Sequence, residues 1–476
     1  MTRGKQNAVK TERHWRRLCR IYLPITCPHS IWRVSRRRND EDPAQGWKLH
    51  VSASILSACD VLRMVGPYLR RRGVLFKGPR SLNELVKLNA AVTSEFSQVG
   101  KFITVYPWSN KAAVEIAQIL HALTLRFEAP IVPYDERFRQ GSCVYYRYGA
   151  FSGPLLKFRE RSSLAIRTSD GRVIVDRREP DAAVPHWLVD PFRNGISNRR
   201  RESVTPLETD YERYQAVIQR GRGGVYRAVD ISSGGRSICI IKEGRRHGEI
   251  DWFGRDGYDR IKREAEFLRS VSRTVTGVPR LRRTFRANGY YYLVEDMIRG
   301  KSLQSVITSR QPISRNRLFG YCTSMVQIVS DIHAAGWAWR DCKPDNFLCE
   351  NKNRLTAIDF ERACRMSAPD PLTLATRGYI RRKRGGTLEQ IDLFALGTSL
   401  MQVIARRHSP PAVVRAFERA AQRHRLPSQL IEIIRSFRSS NCKAAVLELA
   451  LAELKKLSVT RRGRTDGANK ANLATR

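Results

Sequence analysis

A short segment in the second half of the chain carries the residue types that phosphoryl transfer requires. It reads Arg340-Asp341-Cys342-Lys343-Pro344-Asp345-Asn346 and is followed by Ala357-Ile358-Asp359-Phe360. Phosphoryl transfer needs a carboxylate that accepts the proton of the attacking hydroxyl, oxygen ligands for magnesium and a cation on the phosphates. Asp341 suits the first role and Lys343 the last. Asn346 and Asp359 suit the metal, so the two motifs together predict a phosphoryl-transfer site.

The Asp-x-Lys-Pro-x-Asn spacing resembles the catalytic loop of protein kinases, and the Asp-Phe pair resembles their metal-binding turn. Other parts of that family follow in the expected order. Residues 237–242 resemble the strand that ends in the ATP-positioning lysine, Lys242. Glu264 lies on a predicted helix, where the family has the ion-pair partner of that lysine. Residues 292–296 resemble the strand that enters the hinge, and residues 392–397 resemble a buttressing segment of the C-terminal lobe. The resemblance implies a bilobal kinase that uses ATP and Mg²⁺.

The kinase resemblance has departures. Trp339 stands where the family has a histidine, and Glu361 stands where it has a glycine after Asp-Phe. No Ala-Pro-Glu motif follows Tyr379. The glycine-rich, nucleotide-binding segment keeps only its final part, with the candidate residues Gly221, Gly223, Gly224 and Val225. A pseudokinase scaffold is therefore an alternative, although every charged residue expected to touch phosphate or metal is present.

A second candidate site lies in the N-terminal half and is rich in basic residues. Lys48 and His50 are two positions apart on a predicted strand, so their side chains share one face. Lys77 ends the next predicted strand, and Arg147 lies in a third. A cluster of Lys, His and Arg without carboxylates suits an anion such as phosphate. The alternative is a solvated basic strand face.

The segments that carry these residues resemble the N-terminal lyase domain of class III and class IV lanthipeptide synthetases. They are residues 47–53, 73–77, 100–107 and 146–150. That lyase domain is similar to bacterial phosphothreonine lyases, and in the family a kinase domain follows it, as here. The resemblance implies that the kinase phosphorylates Ser or Thr of a precursor peptide and that the lyase eliminates the phosphate to leave a dehydroamino acid.

The resemblance also implies roles for the basic residues. Lys77 would be the base that removes the α-proton, and His50 the acid that protonates the leaving phosphate. Lys48 and Arg147 would hold the phosphate, with Lys101 as a weaker candidate for the same task. Two alternatives stay open: a Ser/Thr protein kinase with a non-catalytic N-terminal domain, and a pseudokinase scaffold that only binds.

The family normally carries a third, cyclase domain after the kinase. Residues 393–476 are enough only to complete a kinase lobe, and no class IV pattern of zinc-binding Cys and His is present. The chain is therefore expected to dehydrate its peptide without closing rings. The expected partners are a Ser/Thr precursor peptide, with an acidic leader as one option, and a separate cyclase.

Hydrophobic patterning predicts the elements that must position these residues. Alternating strands are predicted at 47–53, 74–77, 102–106 and 144–148, and amphipathic helices at 55–70 and 111–127. The fold class is α+β, with a phosphothreonine-lyase-like domain before a bilobal protein-kinase-like domain. The predicted boundaries are a basic extension at 1–40, the lyase-like domain at 41–185, a linker at 186–206, the kinase-like domain at 207–457 and a disordered tail at 458–476.

Composition restricts the remaining possibilities. The 476 residues include 86 Lys and Arg against 45 Asp and Glu, which gives a formal net charge of +41. This charge fits an Arg-rich solvated surface or an acidic peptide partner, whereas nucleic acid is not expected because no aromatic-interleaved basic patch is present. No apolar run is long enough to span a membrane. The ten scattered cysteines are expected to be reduced thiols, so we expect a cytoplasmic protein.

Overall fold

The computed structural model describes residues 3–92, 95–158, 161–193, 205–232, 234–350, 354–370, 376–381, 386–407 and 413–459. These residues form two compact units. The first comprises Met1–Arg236, Ile241–Asp259 and Phe285–Tyr292, and the second comprises Ser237–Ile240, Arg260–Thr284 and Leu293–Arg476. Most of the expected linker, 194–204, and nearly all of the expected tail, 460–476, lie outside the described residues. The expected domain boundaries stay predictions.

A seven-stranded antiparallel sheet forms the centre of the first unit. Its order is β1-β2-β4-β5-β3-β7-β6. The strands are β1 (Ile25–Thr26), β2 (Trp32–Val34), β3 (Gln45–Val51), β4 (Leu75–Pro79), β5 (Ile103–Tyr106), β6 (Glu136–Arg137) and β7 (Val144–Ala150). The helices are α1 (Arg3–Tyr22), α2 (Ala58–Arg71), α3 (Leu82–Ala90) and α4 (Asn110–Thr124), with a 3₁₀ turn at Phe96–Gln98. Each strand and helix predicted between 47 and 148 is present, with its ends shifted by a few residues.

The alternation of strand β3 gives the sheet two different faces. Trp47, Leu49 and Val51 are buried in the apolar core together with residues of α2 and α4. The intervening Lys48 and His50 point to the opposite face, because successive strand residues alternate. Helices α3 and α4 begin at serines whose side chains accept a hydrogen bond from the backbone of the first turn, Ser81 and Ser109. The core therefore forms on one face and leaves the other for polar residues.

The N-terminal segment, for which the sequence predicts a basic extension at 1–40, begins with a helix. Residues 3–22 form helix α1, whose Trp15, Leu18 and Cys19 belong to the same core as the central sheet. The Trp15 ring lies 5.4 Å from the Phe102 ring, measured between centroids. Arginines around these positions hide the apolar face of the helix in the sequence. The helix is thus part of the N-terminal core, and its arginines occupy the outer face.

A small sheet of order β10-β9-β8 follows the central sheet. It consists of β8 (Leu155–Phe158), β9 (Arg161–Arg167) and β10 (Val173–Val175). Strand β10 ends immediately before the buried Asp176. The end of β10 therefore determines where the Asp176 carboxylate lies.

A five-stranded sheet begins the region expected to resemble a kinase, after the short helix α5 (Pro206–Thr209). Its order is β11-β12-β13-β15-β14. The strands are β11 (Tyr211–Arg220), β12 (Gly223–Asp230), β13 (Ser237–Gly244), β14 (Leu281–Ala287) and β15 (Tyr290–Asp296), with helix α6 (Gly257–Val271) between β13 and β14. Strands β11 and β12 form a hairpin in which Arg220 pairs with Gly223.

The second unit is mainly helical after residue 300. Its helices are α7 (Leu303–Thr308), α8 (Arg315–Ala334), α9 (Leu388–Ala405), α10 (Val413–Arg423), α11 (Ser428–Ser436) and α12 (Ala445–Val459). Its short strands are β16 (Lys301–Ser302), β17 (Trp337–Ala338), β18 (Phe347–Cys349), β19 (Leu355–Ala357) and β20 (Cys364–Arg365), with a 3₁₀ turn at Pro344–Asn346. Helix α9 is buried from Asp392 to Ile404, which marks it as a core helix. A strand-rich part before a helical part is the architecture that the sequence predicts.

Two properties of the described part of the chain bear on the composition. None of its helices is both long and apolar enough to cross a membrane. The ten cysteines are free thiols, and all but Cys27 are buried. They therefore pack as small apolar side chains.

Candidate functional site

The strand register brings the predicted N-terminal site residues to one face of the central sheet. Lys48 of β3 pairs directly with Arg147 of β7. His50 of β3 pairs with Thr104 of β5, and Thr104 pairs in turn with Lys77 of β4. Residues paired across antiparallel strands point to the same side of the sheet. The four residues expected from the sequence therefore lie in two adjacent rows on the polar face.

His50 is held by an aspartate that the sequence analysis missed. Its Nδ1 lies 2.5 Å from Oδ2 of Asp135, in the loop before β6. Lys101, the weaker phosphate candidate, lies with its Nζ 3.1 Å from Oδ1 of the same carboxylate. His50, Lys101 and Asp135 are each almost completely buried. The structure therefore assembles a histidine, a carboxylate and a lysine at one point of the polar face.

A second buried carboxylate, Asp176, contacts the phosphate candidates. Its Oδ1 accepts a hydrogen bond of 2.7 Å from Nη2 of Arg147, and its Oδ2 lies 3.4 Å from Nζ of Lys48. The same Oδ2 also accepts a hydrogen bond from the backbone of Ala150. The expectation of a cationic cluster without carboxylates is therefore wrong. Asp135 and Asp176 were missed because they lie 85 and 128 positions from His50 and Lys48.

Burial changes the protonation of the cations on this face. It lowers the pKa of Lys48 to about 7, and the attraction of Asp176 opposes this only in part. Burial also lowers the pKa of Lys101 to about 8 and that of His50 to about 3, in both cases against the attraction of Asp135. The site therefore contains a neutral imidazole and lysines that can lose their protons near neutral pH.

The two carboxylates behave differently from the lysines. Burial by itself raises the pKa of a carboxyl group, but Lys101 and His50 outweigh it and lower the pKa of Asp135 to about 2. For Asp176 the nearby Arg147 and Lys48 likewise outweigh burial and lower the pKa. Both carboxylates are therefore ionised at neutral pH and act as hydrogen-bond acceptors.

Lys77, the residue expected to be the base, has different surroundings. Its Nζ lies 4.4 Å from the centre of the Trp32 ring and 6.0 Å from that of Tyr106. Both rings lie on neighbouring strands of the central sheet. A charged lysine beside aromatic rings is held by cation–π attraction, which is less directional than a hydrogen bond to a carboxylate.

In the second unit, Asp341 is the centre of a hydrogen-bond network. Its Oδ2 accepts from Nζ of Lys343 at 2.8 Å and from Nδ2 of Asn346 at 2.9 Å. Its Oδ1 accepts from Nη1 of Arg362 at 3.0 Å and from Oγ1 of Thr376 at 3.2 Å. The structure thus brings the predicted Asp341, Lys343 and Asn346 together and adds Arg362 and Thr376, which the sequence analysis did not name.

The segment before Asp341 is fixed by Asp392 of α9. Its carboxylate accepts hydrogen bonds from the backbone N–H of Trp339 at 2.7 Å and of Arg340 at 2.5 Å. Arg340 has a positive φ of 65°, which few non-glycine residues adopt. These two hydrogen bonds to a carboxylate hold the turn, so Asp392 fixes the orientation of the backbone immediately before Asp341.

Asp359 lies at a similarly strained turn, with a φ of 67°. Nε1 of Trp339 donates to its carbonyl oxygen at 3.0 Å. The next residue, Phe360, stacks on Phe267 of α6 with 4.3 Å between ring centroids. Its backbone N–H donates to Oε1 of Glu264 at 2.9 Å. The tryptophan that replaces the usual histidine therefore supports the turn through packing and one hydrogen bond, and Glu264 binds the backbone of the same turn.

Asn346 and Asp359 fit a divalent cation. The amide nitrogen of Asn346 donates to the backbone carbonyl and the carboxylate of Asp341, so its carbonyl oxygen remains as a ligand. Asp359 offers a carboxylate, and oxygen atoms are the ligands that such cations prefer. Among the described residues, no group of three or more His, Cys, Asp or Glu side chains could hold a metal ion. A cation at Asn346 and Asp359 would therefore rely on oxygen ligands from bound phosphates as well.

The predicted nucleotide-binding residues of the first unit lie on the β11–β12 hairpin and on β13, which carries Lys242. A Cβ atom on Gly223 would lie 1.7 Å from the carbonyl oxygen of Glu243, and one on Gly221 would lie 1.6 Å from that of Asn89. The backbone N–H of Gly221 donates to the carbonyl of Ala90. Close backbone packing therefore requires glycine at both positions. Gly224 and Val225 continue the hairpin in β12.

Comparisons with known proteins divide the chain into two consecutive segments, which differ from the two compact units. Residues 26–204 match the family described as RamC, N-terminal domain. Residues 213–461, more than half of the chain, match the protein kinase domain. The domain pair expected from the sequence, a lanthipeptide-synthetase-type N-terminal domain followed by a kinase-like domain, is thereby confirmed, as is the fold class.

Individual relatives show the same pattern. The chain is 27% identical to "Probable SapB synthase" of Streptomyces coelicolor over 85% of its own length and 45% of that protein. It is 26% identical to serine/threonine-protein kinase F of Synechocystis over 31% of its length and 33% of that protein. It is 27% identical to the phosphorylase b kinase gamma catalytic chain of Mus musculus, over 32% of its length and 40% of that protein. The chain thus spans less than half of each of these relatives, and its match to the first crosses both domains. The chain belongs to the protein kinase family, and a RamC-type N-terminal domain precedes its kinase domain.

Proposed function

We propose that the chain is a bifunctional peptide dehydratase of the lanthipeptide-synthetase type, acting in the cytoplasm. Its kinase domain phosphorylates Ser or Thr of a ribosomal precursor peptide, and its N-terminal domain then eliminates the phosphate to leave a dehydroamino acid. The observation that carries this proposal is the buried cationic face of the N-terminal domain. It occurs on the same chain as a complete kinase catalytic loop, and the similarity to the SapB synthase covers 85% of this chain.

In the kinase step, Asp341 orients the peptide hydroxyl and accepts its proton. Lys343 and Asn346 donate to the Asp341 carboxylate and hold it in place. Lys242 would position ATP together with the glycine segment, and Asn346 and Asp359 would hold Mg²⁺. When bound, the metal neutralises charge on the transferred phosphate. The network around Asp341 supports an active kinase over a pseudokinase, because each charged residue of the loop is present and engaged.

In the elimination step, the N-terminal face supplies a site for a phosphate dianion. Lys48, Lys101 and Arg147 lie beside the two carboxylates and can also donate to the oxygens of a phosphate monoester, whereas Lys77 must be neutral to act as the base. Lys77 removes the α-proton, and the Cβ–O bond breaks with its electron pair passing to the phosphate oxygen. His50 supplies the proton that this oxygen receives. Asp176 already binds Arg147 and Lys48, so the phosphate must share these cations with it.

The partner proposed is a Ser/Thr peptide with an acidic leader, which the net charge of +41 favours. A separate cyclase would close any rings. The second candidate, a Ser/Thr kinase whose N-terminal domain only binds, draws on the matches to serine/threonine-protein kinases. Elimination activity separates the two candidates.

The test is mass spectrometry of a Ser/Thr peptide encoded beside this chain, after incubation with the full chain and Mg-ATP. Loss of one water per site is expected, since phosphate is added and then eliminated. The variant Asp341→Asn should leave the peptide unchanged, whereas the exposed Asp345→Asn serves as the matched control and should behave as wild type. His50→Gln and Lys77→Met should accumulate phosphopeptide.

A second assay isolates the lyase. The Asp341→Asn variant is given a synthetic phosphoserine peptide without ATP, and elimination is expected at the wild-type rate. Phosphopeptide that accumulates with the wild-type chain and is never eliminated would show a kinase with a non-catalytic N-terminal domain. A peptide left unmodified by a chain that fails to bind Mg-ATP would show a pseudokinase scaffold.

A further inference from the structure

Asp135 contacts the candidate acid, the weaker phosphate candidate and the arginine of the N-terminal site together. Its side chain is 1% exposed, and its two oxygens have different partners. Oδ2 lies 2.5 Å from Nδ1 of His50, and Oδ1 lies 3.1 Å from Nζ of Lys101. Nε of Arg147 is 3.9 Å from the same Oδ1. A carboxylate so placed connects the acid to the cations expected to hold the phosphate.

We propose that Asp135 is a positioning residue that holds His50 with its proton on Nδ1, so that Nε2 is the ring atom that exchanges protons with the leaving phosphate. Lys101 in turn holds Asp135. This inference rests on the proposed lyase function, which it deepens by naming how the acid is oriented.

The charge state of Asp135 fixes the direction of its bond to His50. A buried carboxylate without a charged partner would be protonated, but Lys101 lies within ion-pair distance and Arg147 is close by. The ionised carboxylate can only accept hydrogen bonds. Nδ1 of His50 must therefore be the donor. His50 makes no other ring hydrogen bond to the described residues, which leaves Nε2 available.

The loop that carries Asp135 is held in an uncommon conformation. The preceding residue, Tyr134, has a φ of 64°, a region that bulky residues rarely adopt. Its ring packs edge-on against Phe96, with 5.9 Å between centroids. Such a conformation persists only where surrounding contacts enforce it, and it accompanies functional sites. Here it turns the chain so that the next side chain reaches His50.

This arrangement completes the proton balance of the elimination. A bound phosphate monoester adds negative charge beside Nε2 and so favours its protonation, and Asp135 stabilises the resulting imidazolium through Nδ1. As the Cβ–O bond breaks, its electron pair goes to the phosphate oxygen, which takes the Nε2 proton. Lys77 carries the α-proton, and His50 returns to the neutral form with its proton still on Nδ1.

The test compares Asp135→Asn with the wild-type full chain on a synthetic phosphoserine peptide. Loss of the carboxylate should lower kcat for elimination at least about 100-fold, while KM changes by less than about threefold, because the phosphate-holding cations remain. Retained phosphorylation of a Ser/Thr peptide by the same variant shows that the chain is folded. Asp135→Glu keeps the charge and should recover part of kcat. An unchanged kcat in Asp135→Asn would overturn the proposal.

A second measurement does not depend on activity. In the wild-type chain labelled with ¹⁵N-histidine, His50 should give the nitrogen shifts of a ring protonated at Nδ1 only, assigned by their absence from His50→Gln. Adding inorganic phosphate should move the Nε2 signal towards the protonated form. A His50 ring protonated at Nε2 instead would overturn the proposal, even if the wild-type chain eliminates phosphate. Failure of the wild-type chain to eliminate would refute the proposed function. The nitrogen shifts would still test whether the proton of His50 lies on Nδ1.

Discussion

At the scale of single residues, the N-terminal site shows how burial turns an ordinary lysine into one that titrates near neutral pH. Lys48 is 7% exposed, and the carboxylate of Asp176 lies nearby. The loss of hydration outweighs that attraction, so the pKa of Lys48 falls from 10.5 to about 7. A phosphate bound beside it would favour the charged form again. The charge of Lys48 in the folded chain therefore depends on whether phosphate is bound.

The low pKa of Lys48 predicts how stability depends on pH. Between pH 7 and 10.5 the unfolded chain binds more protons at this residue than the folded chain, so the free energy of unfolding rises with pH. In Lys48→Met this contribution is absent. We expect the slope between pH 7 and 9, measured by denaturant unfolding, to fall by up to about 1.4 kcal/mol per pH unit.

Two features keep this measurement specific. Lys101, with a pKa lowered to about 8, acts in the same direction but is present in both proteins. Asp176 keeps its bonds to Arg147 and Ala150 when Lys48 is removed. The exposed Lys111→Met is the matched control and should keep the wild-type slope. Equal slopes for Lys48→Met and wild type would contradict the lowered pKa.

At the scale of elements, one sheet separates two tasks. Strands β3, β4, β5 and β7 place apolar side chains on one face, and on the other face they place polar side chains that include Lys48, Lys77 and Arg147, through the strand period of two. The antiparallel register then sets the rows, with Lys48 opposite Arg147 and His50 in line with Lys77. A shift of one residue in β3 would exchange the two faces, so burial of the core also fixes the site.

Helix α1 predicts a measurable contribution to that core. Trp15 is fully buried in it, so Trp15→Ala should lower the free energy of unfolding of the first unit by about 3–5 kcal/mol through lost burial and the cavity left behind. Trp108, which is 47% exposed, is the matched control, and Trp108→Ala should cost about 1 kcal/mol or less. Denaturant unfolding measures both. Similar effects of the two substitutions would mean that α1 does not belong to the core.

At the scale of the whole molecule, part of the kinase region is built into the first unit. The β11–β12 hairpin reaches the end of helix α3, where Arg220 donates to the carbonyl of Ala91 at 2.7 Å and Gly221 to that of Ala90. Ile250 and Trp252, which follow β13, pack against the core of the central sheet. The segment that carries Lys242 therefore shares a compact unit with the RamC-type domain.

This close approach can be tested at Gly221. The Cβ of an alanine there would lie 1.6 Å from the carbonyl oxygen of Asn89, which is backbone and cannot rotate away. Gly221→Ala should therefore lower the free energy of unfolding by about 3 kcal/mol. In Gly235→Ala, the matched control, the new Cβ meets nothing within 4 Å and the change should stay within about 0.5 kcal/mol. Thermal unfolding compares them, and equal melting temperatures would show that the hairpin tip is not packed on α3.

The sequence by itself determined those features that depend on local spacing. The strand period of two placed Lys48 and His50 on one face. Asp341 and Asn346 are five positions apart, and their side chains form a hydrogen bond. The family resemblances carried by such segments were confirmed for both domains. Strands and helices with clear hydrophobic periodicity, such as β3, β7 and α2, were also predictable.

Only the tertiary structure decided which charges meet. Asp135 and Asp176 reach His50 and Lys48 across 85 and 128 positions, and no local pattern distinguishes them from solvated aspartates. The apolar face of α1 was hidden among arginines, and the reason for glycine at position 221 is the carbonyl of Asn89. Periodicity reports how a segment faces its own neighbours in sequence. Burial, and with it the pKa values of the site, depends on segments that are distant along the chain.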